Sequence, residues 1–254
     1  MKNKPGSRFI LSLPLLLLSL AVKARQPSVW VEAGAGFTFT GTSDSLLSPA
    51  HVNGNGVQFF ARLIKEGSKR RTVLQGDYNT VNYKDDHIRQ HSFSLRLMDG
   101  YNVLRRKGGP FSLYEGYLVA TQAGYSPGNT SSAASWNSYN VIGWYQSLRY
   151  IHNRNEVTMD VQVPLAGVVY RTPEVSHTGS KDAGHIINSV YSHPSFASLH
   201  NNQVVDVSLQ YTRQLSGRIA LSAGYQLMYQ HWDGENPLTQ TRHSLSASLK
   251  YNLR

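Results

Sequence analysis

The chain has 254 residues, no Cys, a formal net charge of +10 and a mean hydropathy of −0.36. Without Cys there is neither a disulfide framework nor a lipoprotein acylation site. Beyond residue 24 no run of about eighteen apolar residues occurs, which excludes helical membrane spans there.

The first residues read as an export signal. Lys2, Lys4 and Arg8 precede an apolar run from Phe9 to Leu20, and Val22-Lys23-Ala24 supplies small residues at the positions a signal peptidase needs. Cleavage is expected after Ala24, giving a signal peptide at 1–24 and a single domain at 25–254. An apolar run of about twelve residues is too short to serve as a spanning anchor. Removing the segment takes Lys and Arg from 25 to 21 against 15 Asp and Glu, so the charge falls from +10 to +6. That balance is too moderate to argue for a nucleic-acid partner.

Ten strands are expected, at roughly 28–39, 55–65, 70–82, 88–105, 111–123, 139–151, 156–170, 203–214, 218–232 and 241–253. The last three carry the clearest signal. Val205, Val207, Leu209 and Tyr211 alternate with Asp206, Ser208, Gln210 and Thr212. The final strand repeats this, with Leu245, Ala247, Leu249, Tyr251 and Leu253 against Ser244, Ser246, Ser248, Lys250 and Asn252. A period of two over ten or more residues makes a long strand with one apolar and one polar face. Connections alternate in length: Thr40–Gly54, Tyr83–His87, Gly124–Ser138, Arg171–Asn202 and Asp233–Gln240 are long or polar, and those between are short. These features predict an all-β fold, a closed antiparallel up-and-down transmembrane β-barrel with short periplasmic turns and long outer loops.

The short-turn end is basic, with Lys65, Lys69, Arg70, Arg71, Arg105, Arg106, Lys107, Arg154, Arg213, Arg218 and Arg254 opposed by Glu66 and Glu156. Such a rim suits lipid phosphates. Two aromatic girdles are expected, Trp30, Phe111, Tyr150, Tyr211 and Tyr251 at one end and Phe39, Tyr139, Tyr170 and Tyr229 at the other.

The polar faces of successive strands carry Glu32, Arg62, Asp77, Arg96, Glu115, Arg149, Asp160 and Asp206, and the last strand adds Lys250. Signs alternate along most of this series. Opposite charges on neighbouring strands are expected to pair in a lumen ion-pair ladder, because burial of an unpaired charge is costly. Ten strands leave little more room than eight, which side chains can fill.

Other candidates are weaker. His51, His87, His91, His177, His185, His193, His200 and His231 lie toward the long loops without metal-site spacing, so no metal and no cofactor is expected. Asp85-Asp86-His87 and His231-Trp232-Asp233 resemble, in residue type, the rim pairs of omptins, the ten-stranded outer-membrane proteases, but the second runs in the opposite order. The stretch from His193 to His200 holds His and Ser in a turn-rich loop without a lipid-hydrolase motif. The nearly uncharged loop Gly124–Ser138 suits a solvated loop or a ligand surface.

On this architecture the chain resembles small outer-membrane β-barrel proteins of Gram-negative bacteria, including the Tyr- and Asn-rich kind of Bacteroidetes. Its ending, Lys250-Tyr251-Asn252-Leu253-Arg254, departs from the terminal aromatic common there. The resemblance implies outer-membrane lipids as surroundings, insertion by the barrel-assembly machinery, and envelope protein partners. The expected function is a non-enzymatic structural or ligand- or partner-binding barrel with a largely filled lumen. A narrow channel and an outer-membrane hydrolase are the alternatives.

Overall fold

The computed structural model describes residues 28–44, 48–83, 88–104, 109–126, 134–175, 194–234 and 237–253. The expected signal peptide lies outside these residues. The strands are β1 Ser28–Asp44, β2 Ser48–Glu66, β3 Arg70–Tyr83, β4 Ile88–Asn102, β5 Phe111–Ser126, β6 Ala134–His152, β7 Asn155–Val175, β8 Ser195–Ser198, β9 Asn202–Gln214, β10 Ile219–Trp232 and β11 Leu238–Asn252. All ten strands read from the sequence are present, and β8 is a four-residue addition against the outer part of β7.

Each long strand pairs antiparallel with its chain neighbour. β1 closes on β11 from Trp30↔Asn252 to Asp44↔Leu238, and β7 joins β9 from Asn155↔Arg213 to Gln162↔Asp206. The sheet is therefore a closed ten-stranded barrel. Closure removes the edges whose unpaired N–H and C=O groups could not be solvated in lipid.

Strands at the outer end run further than the alternation predicts. Thr40–Asp44 pairs with residues of the segment Ser48–Gly54, and Gly124–Ser126 pairs with 135–137, so the strands run on into both expected loops. Beyond the membrane both faces of a hairpin are polar. The hydrophobic period vanishes there while the hydrogen-bond ladder continues.

At the other end the turns are tight. The β6–β7 turn places Asn153 at φ 55°, a left-handed conformation that Asn tolerates better than most residues. Within β7, Leu165 is an extra residue between the pairs Gly143↔Pro164 and Ile142↔Ala166, a bulge that leaves Leu165 exposed.

Outward positions are apolar around the wall: Phe37, Phe59, Phe93, Ile142, Leu245 and Leu249 are all exposed. Inward positions are mostly polar. A small apolar layer of Ile64, Val73, Met98, Leu118 and Tyr145 crosses the lumen, with Trp30 packed against it. Trp30 and Tyr139 thus face inward rather than joining a girdle, because each shares the parity of inward neighbours. Phe111 and Tyr150 do pair at the inner rim, ring centroids 4.8 Å apart, and Tyr211 and Tyr251 are exposed there.

Candidate functional site: the charged lumen

Long strands with a period of two deliver one charged side chain after another into a narrow interior. In the half nearest the short turns, Arg149 on β6 donates twice to Glu156 on β7, Nε to Oε1 at 3.1 Å and Nη2 to Oε2 at 2.7 Å, and also contacts Glu66 on β2. Beside it, Arg71 on β3 reaches across to Asp160 on β7 at 3.0 Å. Arg71 also donates to Ser147 Oγ and Tyr145 Oη, and that Tyr hydroxyl donates to Asp160 at 3.2 Å.

Glu32 on β1 is fully buried. It accepts hydrogen bonds from Gln210 Nε2 at 2.6 Å and Ser248 Oγ at 2.5 Å, with Arg62 Nη1 at 3.6 Å and Lys250 Nζ at 3.9 Å. Lys250 Nζ donates to Gln210 Oε1 and Thr212 Oγ1, and Arg62 Nε donates to Gln75 Oε1.

At mid-height Arg96 on β4 is the hub. Its Nη1 lies 2.5 Å from Asp206 Oδ2 on β9 and 3.4 Å from Gln162 Oε1 on β7, and its Nε lies 3.8 Å from Asp77 on β3. Asp77 also accepts from Gln58, Gln75 and Ser94, and Asp206 from both contacts of Gln226 Nε2. These carboxylates keep several donors each, the condition under which buried charge is tolerated. The mid-lumen cavity beside Arg96 holds about 60 Å³.

Eight of the nine residues expected in the ladder therefore converge in the lumen: Glu32, Arg62, Asp77, Arg96, Arg149, Asp160, Asp206 and Lys250. Glu115 does not. It is exposed on the outer wall, where its Oε1 accepts from Trp144 Nε1 at 3.1 Å. The expectation failed because it set polar residues inward, whereas in β5 it is Tyr114 and Leu118 that point in. Pairing is also not confined to neighbouring strands: Arg71–Asp160, Arg96–Asp206 and Arg149–Glu66 cross the barrel.

Arg71, Glu66 and Glu156, expected at the rim, are luminal members. Arg71 shares the parity of Gln75 and Asp77, a signal available in the sequence. Lys65, Lys69, Arg70, Arg154, Arg213 and Arg218 are exposed at the rim, and Arg105, Arg106, Lys107 and Arg254 lie outside the described residues. Near the outer mouth Arg171 pairs with Asp44 at 2.5 Å, on strand extensions that carry no period-two pattern.

The outer half of the lumen is different in kind. It is lined by Thr40, Thr42, Gln90, Ser92, Gln122, Gln230 and Gln240 around Arg242, whose Nη2 lies 3.3 Å from Met228 Sδ. Thr40 Oγ1, Asn79 Oδ1, Asn202 Oδ1 and Arg242 Nε are buried there without a hydrogen-bond partner.

Among the described residues the other candidates do not assemble. Asp85, Asp86, His87, His177, His185 and His193 lie outside the described residues. His231 Nδ1 is 2.8 Å from Thr239 Oγ1, and His91 Nδ1 is 2.7 Å from Tyr78 Oη on the outer wall. Among the described residues no three His, Asp or Glu side chains are grouped to hold a metal ion.

No protein-family model matches the chain, and no curated protein sequence matches it. Solved barrels do resemble it. The translocator domain of the autotransporter NalP from Neisseria meningitidis is 9% identical over 95% of this chain and 94% of that one, with a TM-score of 0.47. The outer membrane protease OmpT from Escherichia coli is 6% identical over 91% and 98%, with a TM-score of 0.46. Neisserial surface protein A is 13% identical over 89% and 97%, with a TM-score of 0.39. Likeness at this level assigns no activity; the architecture rests on the chain's own closed ladder and apolar exterior. The chain is a closed antiparallel ten-stranded β-barrel with the apolar outer wall of a membrane-spanning one.

Proposed function

We propose that this barrel is non-enzymatic and non-conducting, a structural or ligand- or partner-binding component of the envelope that works through its walls and outer loops. One observation carries this reading: Arg96 bridges Asp77 and Asp206 across the middle of the lumen, above the Arg71–Asp160 and Arg149–Glu66–Glu156 groups. Opening a path for solutes would separate buried charges from their partners, which costs several kcal/mol for each one left unpaired.

The same reading takes residues 1–24 as the export signal, the barrel-assembly machinery as the inserting partner, and membrane lipids as the permanent neighbours. It requires no cofactor, metal or nucleic acid. His231 engages Thr239 rather than a carboxylate, which favours a non-enzymatic rim.

Planar-bilayer recording on the folded, heat-modifiable protein tests the proposal. Silence across several hundred millivolts is expected. Stepwise conductance would replace it with a narrow channel, and hydrolysis of phospholipid, lipid A or basic peptides by the pure protein would replace it with an enzyme.

A further inference from the structure

The outer wall carries a polar patch across β3–β6 near its inner rim, and the strand register shows what lies above it. Arg70↔Tyr101↔Glu115↔Gln146 forms one row across β3–β6, and Thr72↔Asp99↔Tyr117↔Trp144 forms the next row outward. Directly above comes Leu74↔Leu97↔Val119↔Ile142. This third row lines an apolar groove of about 620 Å³ on the membrane face, bounded on the far side by Phe196 of β8. Elsewhere near this rim the exposed outward charges of the strands are cations, Lys65 beside Thr72 and Arg213 beside Leu221.

Within the described strands, Asp99 and Glu115 are the two carboxylates on the outward face. Asp99 is covered by Arg70, which donates from Nε and Nη2 at 2.7 Å each, and by Thr72 Oγ1 at 2.6 Å. Arg70 also lies over the Tyr101 ring at 5.4 Å, and its side chain remains 54% exposed. Glu115 accepts only from Trp144 among the hydrogen bonds described and is exposed. Lipid-facing charge is disfavoured near the bilayer midplane and tolerated near the interface, so this patch sits where lipid headgroups lie.

We propose that the patch and groove together hold one phospholipid of the periplasmic leaflet with a primary-amine headgroup. The acyl chains lie along the Leu74–Leu97–Val119–Ile142 groove. The phosphate meets the exposed flank of Arg70, and the ammonium meets Glu115. Arg70 and Glu115 stand two strands apart, about 10 Å at the backbone, a gap that two long side chains and an ethanolamine arm close. The carboxylate is the selective element, because an anionic glycerol headgroup brings no positive charge to it. The site is independent of whether the lumen conducts.

Native mass spectrometry of the folded barrel, extracted from vesicles of equal phosphatidylethanolamine and phosphatidylglycerol, tests this. Wild type is expected to retain the ethanolamine lipid over the glycerol lipid by roughly fivefold, the scale of one charge-assisted contact at an exposed site. Glu115→Gln is expected to bring that ratio close to one, with the heat-modifiable gel shift unchanged. Gly76 faces outward beside Leu95, and a Cβ added there meets open space, so Gly76→Leu intrudes on the groove without strain. It is expected to lower total lipid retained while keeping the preference. Equal retention of the two lipids by wild type, a preference that survives Glu115→Gln, or retention that Gly76→Leu leaves unchanged would overturn the proposal.

Discussion

The two halves of the lumen are built from the same alternating strands but filled on different principles. Toward the periplasm, Glu32, Asp77, Asp160 and Asp206 each lie beside a cation and accept from further donors. Toward the outside, below the Arg171–Asp44 pair, neutral hydroxyls and amides gather around Arg242, exemplified by Thr38 and Ser244 with hydroxyl oxygens 3.3 Å apart. The inner half behaves as a cross-braced plug. The outer half encloses only about 20 Å³ among its neutral polar side chains and also holds the buried apolar group of Tyr139, Val169, Trp232 and Leu238.

The largest test of this contrast is Arg96 itself. Arg96→Met leaves Asp77 and Asp206 buried without their cation, so a loss of about 3–5 kcal/mol is expected. Urea titration of the folded fraction in vesicles measures it, and bilayer current in the same variant is expected where wild type is silent. Next comes the Arg71–Asp160 bridge. A double-mutant cycle with Arg71→Met and Asp160→Asn should return a coupling of about 1–3 kcal/mol; a value near zero would reduce the bridge to coincidence.

The outer half predicts the opposite behaviour. Replacing both Thr38 and Ser244 by Val and Ala removes a hydroxyl pair together, and should shift stability by less than about 1 kcal/mol. A larger loss would erase the distinction between the halves. Smallest of all, Glu115→Gln on the outer wall should leave stability within about 0.5 kcal/mol, because Glu115 belongs to the lipid face and not to the plug.

Much of this was legible in the sequence. The long period-two runs located every spanning strand, and parity alone aimed Glu32, Arg62, Asp77, Arg96 and Asp206 at one interior. Three things were not legible. Thr40–Asp44 reads as loop because both its faces are polar, although backbone pairing continues through it. Glu115 was misplaced because polarity was equated with the inside, a rule that fails where the wall meets headgroups. Cross-barrel partners such as Arg149 and Glu66 depend on the closed circumference and on strand tilt, and no local pattern encodes those.

The unequal hems of the barrel have a mechanical consequence. β1 and β11 are laced along their whole length, whereas β7 and β9 part beyond Gln162↔Asp206, where Pro164 offers no N–H and β8 covers only Ala166–Val169. The edge of β8 is finished instead by Asn201, whose amide accepts from Ser198 N–H at 2.7 Å and donates to Phe196 C=O at 2.9 Å. Among the described residues the wall is therefore loosely stitched just above the Arg96 hub. Amide protons of Gln203–Val205 that would face β7 exchange with solvent through that slit long before those along the β1–β11 closure, and any opening of this barrel begins there.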